Sequence, residues 1–529
     1  MAAPDRSLYG STWYAANMAA DRSRGPLSLE LDVDVCVVGG GLAGLTVALE
    51  VARRGWSVAV LEARRIAWNA SGRNSGFVLP GFAADPQALL DRVGRNHART
   101  LWALSETGAE YVRRTIRETK MPGIDLQEGG WLRIAKSDDD SAVAHQAELL
   151  TREFGAAAEL WPAERVRASL RSPRYFSALH FPNGFAINPL NYALGLAAAA
   201  EAAGARIFED TPALELDPAG VRKRITTPSA RLRASHVVLA GNVHIGGLMP
   251  HLAGTLIPVS TYVIATAPLG ERLRDAITFR GAVSDTELAD NHYRVVGGDR
   301  LMWAGRCTAW SGDPRRYVRT LIAEIARTYP QLGKVEAEYA WTGTLGTAVH
   351  RMPQIGEMSP GVWLLSGFGG HGLNTTAMGG DIVARAIVEG SQTYELFRPF
   401  ELVWAGGRLG RAAVQAYYWY FRTRERLEGW LSRRRDAARR RDNAAADATA
   451  VDLETELEAA VSKDAPQAAT GKRRKAKRNK SRQRGKAKDD AGSGAAGAGQ
   501  AAAADAASGT VPGGPSGATT EKSPAGGVG

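Results

Sequence analysis

The chain reads VCVVGGGLAG from Val35 to Gly44, and after an apolar helix-forming segment it reads VAVLE from Val58 to Glu62. This order of strand, glycine turn, helix and second strand is typical of a parallel βαβ unit. Gly39 permits a tight turn, Gly41 lets the backbone approach a pyrophosphate, and Gly44 lets the helix pack closely on the sheet. The N-terminus of the helix adds free N–H groups and a partial positive charge.

Glu62 ends the second strand and supplies the acid that such a unit requires. It lies 23 residues after Gly39, where a carboxylate can accept hydrogen bonds from the hydroxyls of an adenosine ribose. The same charge would repel a 2′-phosphate, which disfavours an NADP-type ligand. Three glycines alone can also form a plain turn, but here the strand, the helix and the acid agree. The sequence therefore predicts a dinucleotide site.

A second glycine-rich junction lies late in the chain. The sequence reads GFGGHGLN from Gly367 to Asn374, between an apolar run at 362–365 and a helix-forming segment. A helix that begins there turns its positive N-terminal end towards an electron-rich group. The pyrimidine ring of a flavin gains negative charge on reduction and is a natural occupant. The second junction therefore favours a flavin as part of the dinucleotide.

Helices and short strands alternate between the two junctions. Apolar positions at helical spacing predict a long helix or a helix pair over Pro86–Thr119. A strand is predicted over 130–135, and short strands are predicted between Arg206 and Gly241, the first of them over Arg206–Phe208. The last apolar run of this segment is predicted to complete the first sheet. The strand-rich segment 256–341, with a helix near Arg315–Thr328, predicts an antiparallel sheet that covers the cofactor and forms the substrate cavity. The fold class is therefore α/β, with one cofactor domain interrupted by a substrate domain.

The C-terminal part differs in composition from the rest. Aromatic residues are absent after Trp430, and Ala, Gly, Ser, Lys, Arg and Asp dominate, so residues 431–529 are predicted to be disordered except for a short helix near 451–461. The stretch Lys472–Lys488 holds eleven basic residues and no acid, which equals the net charge of +11 of the whole chain. This tail predicts nonspecific binding to nucleic acid or to an anionic membrane surface, or it is only a solvated tail. It has no aromatic residues for base stacking.

The cysteines and the N-terminus indicate a cytoplasmic protein. Cys36 and Cys307 are far apart in sequence and lie in apolar runs, so they are predicted to be buried thiols in a reducing compartment, with neither a disulfide nor a metal site. Met1–Gly10 has no apolar run of signal-peptide length, and no stretch approaches eighteen uninterrupted apolar residues. No transmembrane segment is therefore predicted.

Several stretches carry a resemblance to a known family. The chain resembles the FAD-dependent D-amino-acid-oxidase/glycine-oxidase superfamily, and within it the gamma-glutamylputrescine oxidase group. The resemblance covers about residues 11–425 and leaves out the tail. Besides the glycine turn with Glu62, the matching stretches are Ser11–Tyr14, Ala70–Asn74, Gly305–Cys307, Trp341–Gly343, Arg351–Gly356, Gly369–Gly372 and Gly406–Leu409.

The resemblance implies a Rossmann-like FAD-binding domain interleaved with a mainly antiparallel-sheet substrate domain. Approximate boundaries follow from matching this pattern to the predicted elements. The predicted parts are an N-terminal arm (1–30), FAD-binding parts (31–85, 186–250 and 342–395), substrate parts (86–185 and 251–341), closing helices (396–430) and a disordered basic, Ala/Gly-rich tail (431–529).

The resemblance also implies the chemistry. A hydride leaves the carbon beside an amine for flavin N5, the imine is hydrolysed, and O2 is the expected acceptor. An FAD amino-acid dehydrogenase that passes electrons to a quinone is the alternative. The predicted cofactor-binding residues are Gly39, Gly41, Gly44, Glu62, Ser71, Arg73, Asn74, Ala213, Ala240, Gly241, Gly370, His371, Gly372 and Leu373.

The sequence departs from relatives within the superfamily at three places. Sarcosine oxidases hold the substrate carboxylate with a lysine where this chain has Asn374, so a small N-methyl amino acid is a poorer substrate. Their lysine over the flavin, which helps oxygen react, falls near Met302, and this keeps the dehydrogenase alternative open. Those relatives attach the flavin through a cysteine near Arg351. This chain has none there, which predicts noncovalent FAD.

No catalytic residue is assigned firmly. Hydride transfer from an amine needs a neutral nitrogen lone pair and alignment more than a dedicated acid or base. His371 either stabilises the reduced ring or only shapes its loop. The other candidates are weaker, and ordinary packing is the better reading of each: Tyr262, His292, Tyr293, Arg306 and His350.

Two further features keep other readings open. The aromatic segment 403–430 is read as packing against the body, with membrane-surface binding as the alternative. The basic tail leaves open a protein of another class, associated with nucleic acid.

Overall fold

The computed structural model describes residues 9–138, 140–286, 291–421 and 423–424. The predicted tail at 431–529, with its short helix and its basic stretch, lies outside the described residues. The cofactor and substrate parts predicted from the sequence are almost wholly within them.

The first sheet has five parallel strands at its centre, in the order β18-β11-β1-β2-β8. β17 adds antiparallel to β18, and β9 and β10 extend the N-terminal half of β11. The sheet is thus assembled from three segments that are distant in sequence. Numbered in chain order, its strands are β1 (Leu31–Val38), β2 (Val58–Leu61), β8 (Arg206–Phe208), β9 (Glu215–Asp217), β10 (Lys223–Thr226), β11 (Arg231–Leu239), β17 (Gln354–Ser359) and β18 (Val362–Ser366).

The second sheet is antiparallel apart from the parallel pair β13 and β4. Its order is β16-β12-β15-β14-β13-β4-β6-β5. A small pair of strands, β3 (Phe77–Val78) and β7 (Phe185–Ala186), forms a third sheet. The strands of the second sheet are β4 (Trp131–Ile134), β5 (Glu159–Trp161), β6 (Ala178–Phe181), β12 (Leu256–Thr266), β13 (Ala282–Asp285), β14 (His292–Val296), β15 (Arg300–Thr308) and β16 (Ala337–Ala348).

Helices cover the first sheet and one face of the second. α12 packs against both α2 and α5, and α2 packs against α8. The α-helices are α1 (Trp13–Ala16), α2 (Leu42–Arg53), α3 (Ala70–Arg73), α4 (Pro86–Val93), α5 (Arg95–Thr119), α6 (Ser141–Leu149), α7 (Ala163–Ser169), α8 (Pro189–Ala202), α9 (Pro250–Ala253), α10 (Glu271–Ala276), α11 (Arg315–Thr328) and α12 (Gly372–Glu389). A π-helical turn covers Leu150–Phe154, 3-10 turns cover Asn242–Gly247, Pro330–Leu332 and Thr393–Phe397, and residues 407–421 are helical.

The helix predicted over Pro86–Thr119 is a pair. Gly94 separates α4 from α5 with a φ of 75°, a conformation that favours glycine. Asp85 begins the pair, because its carboxylate accepts hydrogen bonds from the N–H groups of Gln87 (2.9 Å) and Ala88 (3.3 Å).

Both faces of the first sheet are buried, as parallel sheets require. Val35 and Val37 of β1 pack into the core beneath the helices, whereas Cys36 belongs to a separate apolar cluster on the other face. In the second sheet, the face opposite the cavity packs against α11 through Leu321 and Ile325. No helix in the described ranges is long and apolar enough to cross a membrane.

Candidate active site

The first glycine junction brings a helix N-terminus to the edge of the first sheet. Gly39 follows β1 with a φ of 116°. A Cβ atom on Gly39 would lie 2.8 Å from the carbonyl oxygen of Ala240, at the end of β11. α2 begins at Leu42, and Gly44 lies so close to the Gly39 carbonyl that a Cβ atom has no space. Glycine at both positions is therefore a steric requirement of the junction.

Glu62 is held rigidly beside this junction. Its Oε2 accepts a hydrogen bond from the N–H of Gly40 (2.7 Å), and its Oε1 accepts one from the N–H of Arg64 (2.8 Å). Burial raises the pKa of the carboxyl group, and the two backbone hydrogen bonds act in the opposite direction. A carboxylate has about four acceptor positions, so Glu62 retains the capacity to bind ribose hydroxyls.

A cavity of about 1000 Å³ joins the two glycine junctions, a volume at the upper end of the range for cofactor and ligand sites. Its lining combines residues at the ends of β1 and β2 with residues of β4, β12 and β15. Gly44 and Arg73 are not part of the lining. The predicted cofactor-binding residues that line it are Gly39, Gly41, Glu62, Ser71, Asn74, Ala213, Ala240, Gly241, Gly370, His371, Gly372 and Leu373.

The α3 segment is tied to the first junction through polar side chains. Ser71 Oγ accepts a hydrogen bond from the N–H of Leu42 (3.0 Å), the first residue of α2. Asn74 closes α3, because its side-chain amide donates to the carbonyl oxygen of Ala70 (3.0 Å) and its Oδ1 accepts from the N–H of Gly76 (2.8 Å). Ser71 and Asn74 thus shape the backbone of the cavity wall.

Arg73 carries a charge that no described carboxylate balances. Its guanidinium donates to the carbonyl oxygens of Thr342 (3.3 Å) and Tyr9 (3.2 Å), and its Nε is buried without a partner among the described residues. Neither acceptor belongs to α3, so Arg73 does not cap that helix. Burial lowers the pKa of Arg73. Because Arg73 does not line the cavity, its contact with the pyrophosphate stays a prediction.

The second glycine junction leaves space in front of α12. Gly369 has a φ of 58°, and a Cβ atom on it would lie 2.8 Å from the Cβ of Ala83. On Gly370 or Gly372, by contrast, a Cβ atom would meet no heavy atom within 4 Å, and both residues line the cavity. The N-terminus of α12 therefore faces open space that can accept a flat ring.

His371 precedes α12 and lines the cavity beside Trp131, whose ring centroid is 6.3 Å away. Burial, together with the nearby charges of Arg133 and His292, lowers the pKa of His371 to about 4. At neutral pH the ring is therefore neutral. It can donate or accept a hydrogen bond, but it supplies no positive charge to a reduced ring.

Of the other catalytic candidates, His292 and Arg306 line the cavity, whereas Tyr262, Tyr293 and His350 are engaged in packing. The hydroxyl group of Tyr262 lies 2.8 Å from Thr308 Oγ1, and that of Tyr293 lies 2.7 Å from the hydroxyl group of Tyr329. Both rings belong to the apolar core of the second sheet. The ring of His350 contacts Phe400 and accepts a hydrogen bond from the N–H of Met352 (3.1 Å). None of the three lines the cavity, which favours a packing role for each.

Two of the three positions at which the chain departs from sarcosine oxidases, Met302 and Asn374, also fall outside the cavity lining, whereas Arg351 belongs to it. Met302 is buried, and its sulfur accepts a hydrogen bond from the hydroxyl group of Tyr14 (3.2 Å). Asn374 is buried and donates to the carbonyl oxygen of Gly81 (3.0 Å). Within the part of the chain that the structure describes, no lysine lines the cavity. Cys307 does line it and is only partly buried, so the prediction of a buried thiol is wrong for Cys307, whereas it is confirmed for Cys36. The stretch around Arg351 has no cysteine.

Several residues that line the cavity were not predicted from the sequence. Trp131 stacks on Phe181 with ring centroids 4.7 Å apart, and Arg133 lies two residues further along β4. The strand was predicted, so its alternation of side chains was the available signal. Asn242 also lines the cavity, in a left-handed conformation with φ of 50° and with its Oδ1 buried and unpartnered among the described residues.

The residues present fit a flavin dinucleotide. One end of the cavity offers a helix N-terminus and a carboxylate held by two backbone hydrogen bonds, which suit a pyrophosphate and a ribose. The other end offers a second helix N-terminus behind glycines whose missing side chains leave space. The described residues contain no group of three His, Cys, Asp or Glu side chains placed to hold a metal ion.

Sequence comparison identifies relatives over most of the chain. A family model described as FAD dependent oxidoreductase matches residues 34–386. The gamma-glutamylputrescine oxidoreductase of Escherichia coli K12 is 32% identical over 424 residues, which cover 78% of this chain and 98% of that protein. A probable oxidoreductase, OrdL, of Haemophilus influenzae is 29% identical over 392 residues, covering 73% of this chain and 90% of that protein.

Comparison with solved structures finds the same fold. The glycine oxidase of Bacillus cereus superposes with a TM-score of 0.57 at 20% identity, over 69% of this chain and 97% of that chain. The L-proline dehydrogenase of P. horikoshii gives a TM-score of 0.58 at 19% identity, over 70% and 96% of the two chains. At such identities the likeness concerns the fold alone.

Proposed function

We propose a function from one premise: the chain belongs to the family of FAD-dependent oxidoreductases. It oxidises the carbon–nitrogen bond of an amine or amino acid, and bound FAD supplies the acceptor for the hydride. The observation that supports this proposal is the convergence of two glycine-rich strand-to-helix junctions on one cavity.

In this scheme the residues of the protein bind the FAD and orient the amine substrate. Gly39, Gly41 and the N-terminus of α2 receive the pyrophosphate, and Glu62 accepts the ribose hydroxyls. The N-terminus of α12 favours negative charge at the ring end of the cavity. Trp131 and Phe181 provide an apolar wall that excludes water from a neutral amine. The neutral His371 can hold a proton or a lone pair at the ring edge.

The proposed substrate resembles gamma-glutamylputrescine. The support is the name and the 98% coverage of the Escherichia coli relative. Asn374 agrees with this choice, because its buried amide lies outside the cavity lining and offers no positive charge to a small N-methyl amino acid.

O2 is the proposed electron acceptor, and one observation favours a membrane quinone as the second candidate. Residues 407–421 form a helix that contributes Val414, Tyr417 and Tyr418 to the cavity lining. The same segment exposes Leu409 by 80% and Trp419 by 61%, and such residues suit a membrane surface. Turnover in air, compared with turnover on a soluble quinone without oxygen, separates the two acceptors.

The FAD is proposed to be noncovalent. Acid precipitation of the purified protein should leave the yellow colour in the supernatant. Colour retained in the pellet would contradict this proposal, and loss of that colour in Cys307→Ser would then identify the attachment site. The cytoplasmic location and the nonspecific anion binding of the tail remain part of the proposal.

The first experiment is an anaerobic absorption spectrum. The purified protein should show the bands of oxidised flavin, and gamma-glutamylputrescine or another amine of a small panel should bleach them. Admission of air then reports whether O2 restores the colour. A protein that stays colourless with added FAD would contradict the proposal, as would a flavin that no amine or amino acid reduces.

A further inference from the structure

Arg133 presents an unpaired guanidinium to the cavity. On β4, Leu132 and Ile134 pack into the apolar core of the second sheet, whereas Trp131 and Arg133 line the cavity on the opposite face. Arg133 is half-buried, and its guanidinium has neither an ion pair nor a hydrogen bond to any described residue. A charge in such a position is costly unless something binds it.

The sheet register surrounds Arg133 with polar groups. Arg133 lies opposite Ser284, which lies opposite His292 on the next strand. Ser284 Oγ accepts a hydrogen bond from Trp131 Nε1 (2.9 Å) and lies 2.8 Å from His292 Nδ1. These hydrogen bonds fix the side chains next to Arg133 in the cavity wall. No carboxylate among the described residues forms an ion pair with the Arg133 guanidinium.

Other arginines of the lining differ from Arg133. Arg306 forms an ion pair with Glu324 (3.1 Å), Arg64 stacks over Trp68 at 4.1 Å, and Arg351 is exposed. Arg133 is also close enough to His371 to affect its titration. The unpaired charge thus lies at the end of the cavity to which the N-terminus of α12 points.

We propose that Arg133 binds a carboxylate of the substrate. The chain would then select amines that also carry a carboxylate, with Trp131 and Phe181 packing against the apolar part between the two groups. A guanidinium pairs with a carboxylate through two parallel hydrogen bonds, which adds orientation to affinity. This inference rests on the proposed function for the identity of the ligand as a substrate.

Binding of a carboxylate that cannot be oxidised tests the assignment without turnover. The holoenzyme is titrated with benzoate and with benzamide, and the flavin spectrum reports binding. The wild type should prefer benzoate. Arg133→Gln should weaken benzoate binding about 10- to 100-fold, the range for hydrogen bonds to a charged group, and should leave benzamide binding and FAD content unchanged. Arg133→Lys should restore part of the preference.

Arg306→Gln is the matched control, because it removes another positive charge from the same lining. It should leave benzoate binding within about twofold, since the charge of Arg306 is paired. Equal weakening of benzoate and benzamide in Arg133→Gln, loss of FAD from that variant, or a wild type without preference for benzoate would each overturn the proposal.

A kinetic measurement distinguishes failure of the proposed function from failure of the proposed role of Arg133. With gamma-glutamylputrescine, Arg133→Gln should raise KM about as much as it weakens benzoate and should change kcat little. With putrescine, which has no carboxylate, KM should not change. If the wild type oxidises no amine, the proposed function fails and the benzoate titration still decides the role of Arg133. If the wild type is active and Arg133→Gln is unaffected, only the role of Arg133 fails.

Discussion

His371 should make the stability of the protein depend on pH in a defined range. An unfolded histidine takes up a proton near pH 6.5, whereas burial and the charges of Arg133 and His292 lower the folded pKa to about 4. Below pH 6.5 the unfolded state therefore binds more protons, so stability falls as the pH decreases from 6.5 to about 4 and this contribution then levels off. The loss should amount to about 2–3 kcal/mol.

The measurement is the free energy of unfolding in urea, with saturating FAD, at several pH values. His371→Asn should show a smaller decrease between pH 6.5 and 4 than the wild type. His145→Asn is the control, because His145 is exposed on α6. Parallel pH profiles for the wild type and His371→Asn would contradict the prediction.

Gly41→Asp should produce a folded protein without flavin. A Cβ atom on Gly41 would lie 2.9 Å from Ser71 Oγ, and the added carboxylate would repel a pyrophosphate. Gly356→Ala on β17 is the control, because a Cβ atom there meets no heavy atom within 4 Å. The flavin-to-protein absorbance ratio and the circular dichroism spectrum check both variants. A Gly41→Asp protein with a full complement of flavin would contradict the assignment of the first junction.

The sequence was a good guide to the positions of residues that local backbone geometry sets. Gly39, Gly41 and Glu62 could be predicted because turn geometry, helix polarity and strand length place them relative to one another along a short segment. Arg133 could not, because its place in the cavity depends on which distant strands pair with β4, and its lack of a partner among the described residues depends on the folded structure. The same limit applied to Tyr293, whose burial follows from packing against Tyr329.

At the scale of secondary-structure elements, the packing of α5 against α12 affects the position of the second glycine junction. A Cβ atom on Gly108 of α5 would lie 2.8 Å from the Cβ of Met378 and would also collide with the backbone of Asn374. Gly108→Ala should therefore lower the free energy of unfolding by about 1–3 kcal/mol, although alanine gains about 1 kcal/mol in helix propensity.

Gly195→Ala on α8 is the matched control for this crossing. The atoms nearest to a Cβ on Gly195 belong to the flexible side chain of Met121, so this variant should lose much less stability in urea unfolding. Weaker FAD binding by Gly108→Ala would indicate that the displaced α12 carries the second glycine junction with it. Equal stability of the two variants would contradict the crossing as described.

Elements with strong local patterns were predicted well. β8 and α11 have the predicted bounds, Arg206–Phe208 and Arg315–Thr328. The short strands β5 and β6 were not predicted, and β13 was predicted only as part of the strand-rich segment 256–341, because three or four residues carry little periodicity. The break at Gly94 shows the same limit, since helical spacing of apolar residues continues on both sides of it.

At the scale of the whole molecule, the excess positive charge lies in the tail, whereas the residues that line the cavity precede it. The eleven basic residues of Lys472–Lys488 equal the net charge of the chain, so a variant that ends before residue 433 should elute from heparin at much lower salt. Its FAD content and kcat should match those of the full chain, because the cavity-lining residues precede the tail. Unchanged heparin elution would show that the anion-binding surface belongs to the body.

FAD should hold the interleaved body together as one cooperative unit. The central strands of the first sheet come from β1 and β2, from β8 and β11, and from β18, and the cavity is also lined by strands of the second sheet. A ligand that binds only the folded state stabilises it by about 4 kcal/mol at 1,000 times its Kd. Removal of FAD should therefore lower the Tm of the protein, and added FAD should raise it again with increasing concentration. Because both sheets contribute to the cavity, circular dichroism and tryptophan fluorescence should report the same transition. Two separate transitions, with only one of them sensitive to FAD, would show instead that the substrate part folds independently of the cofactor part.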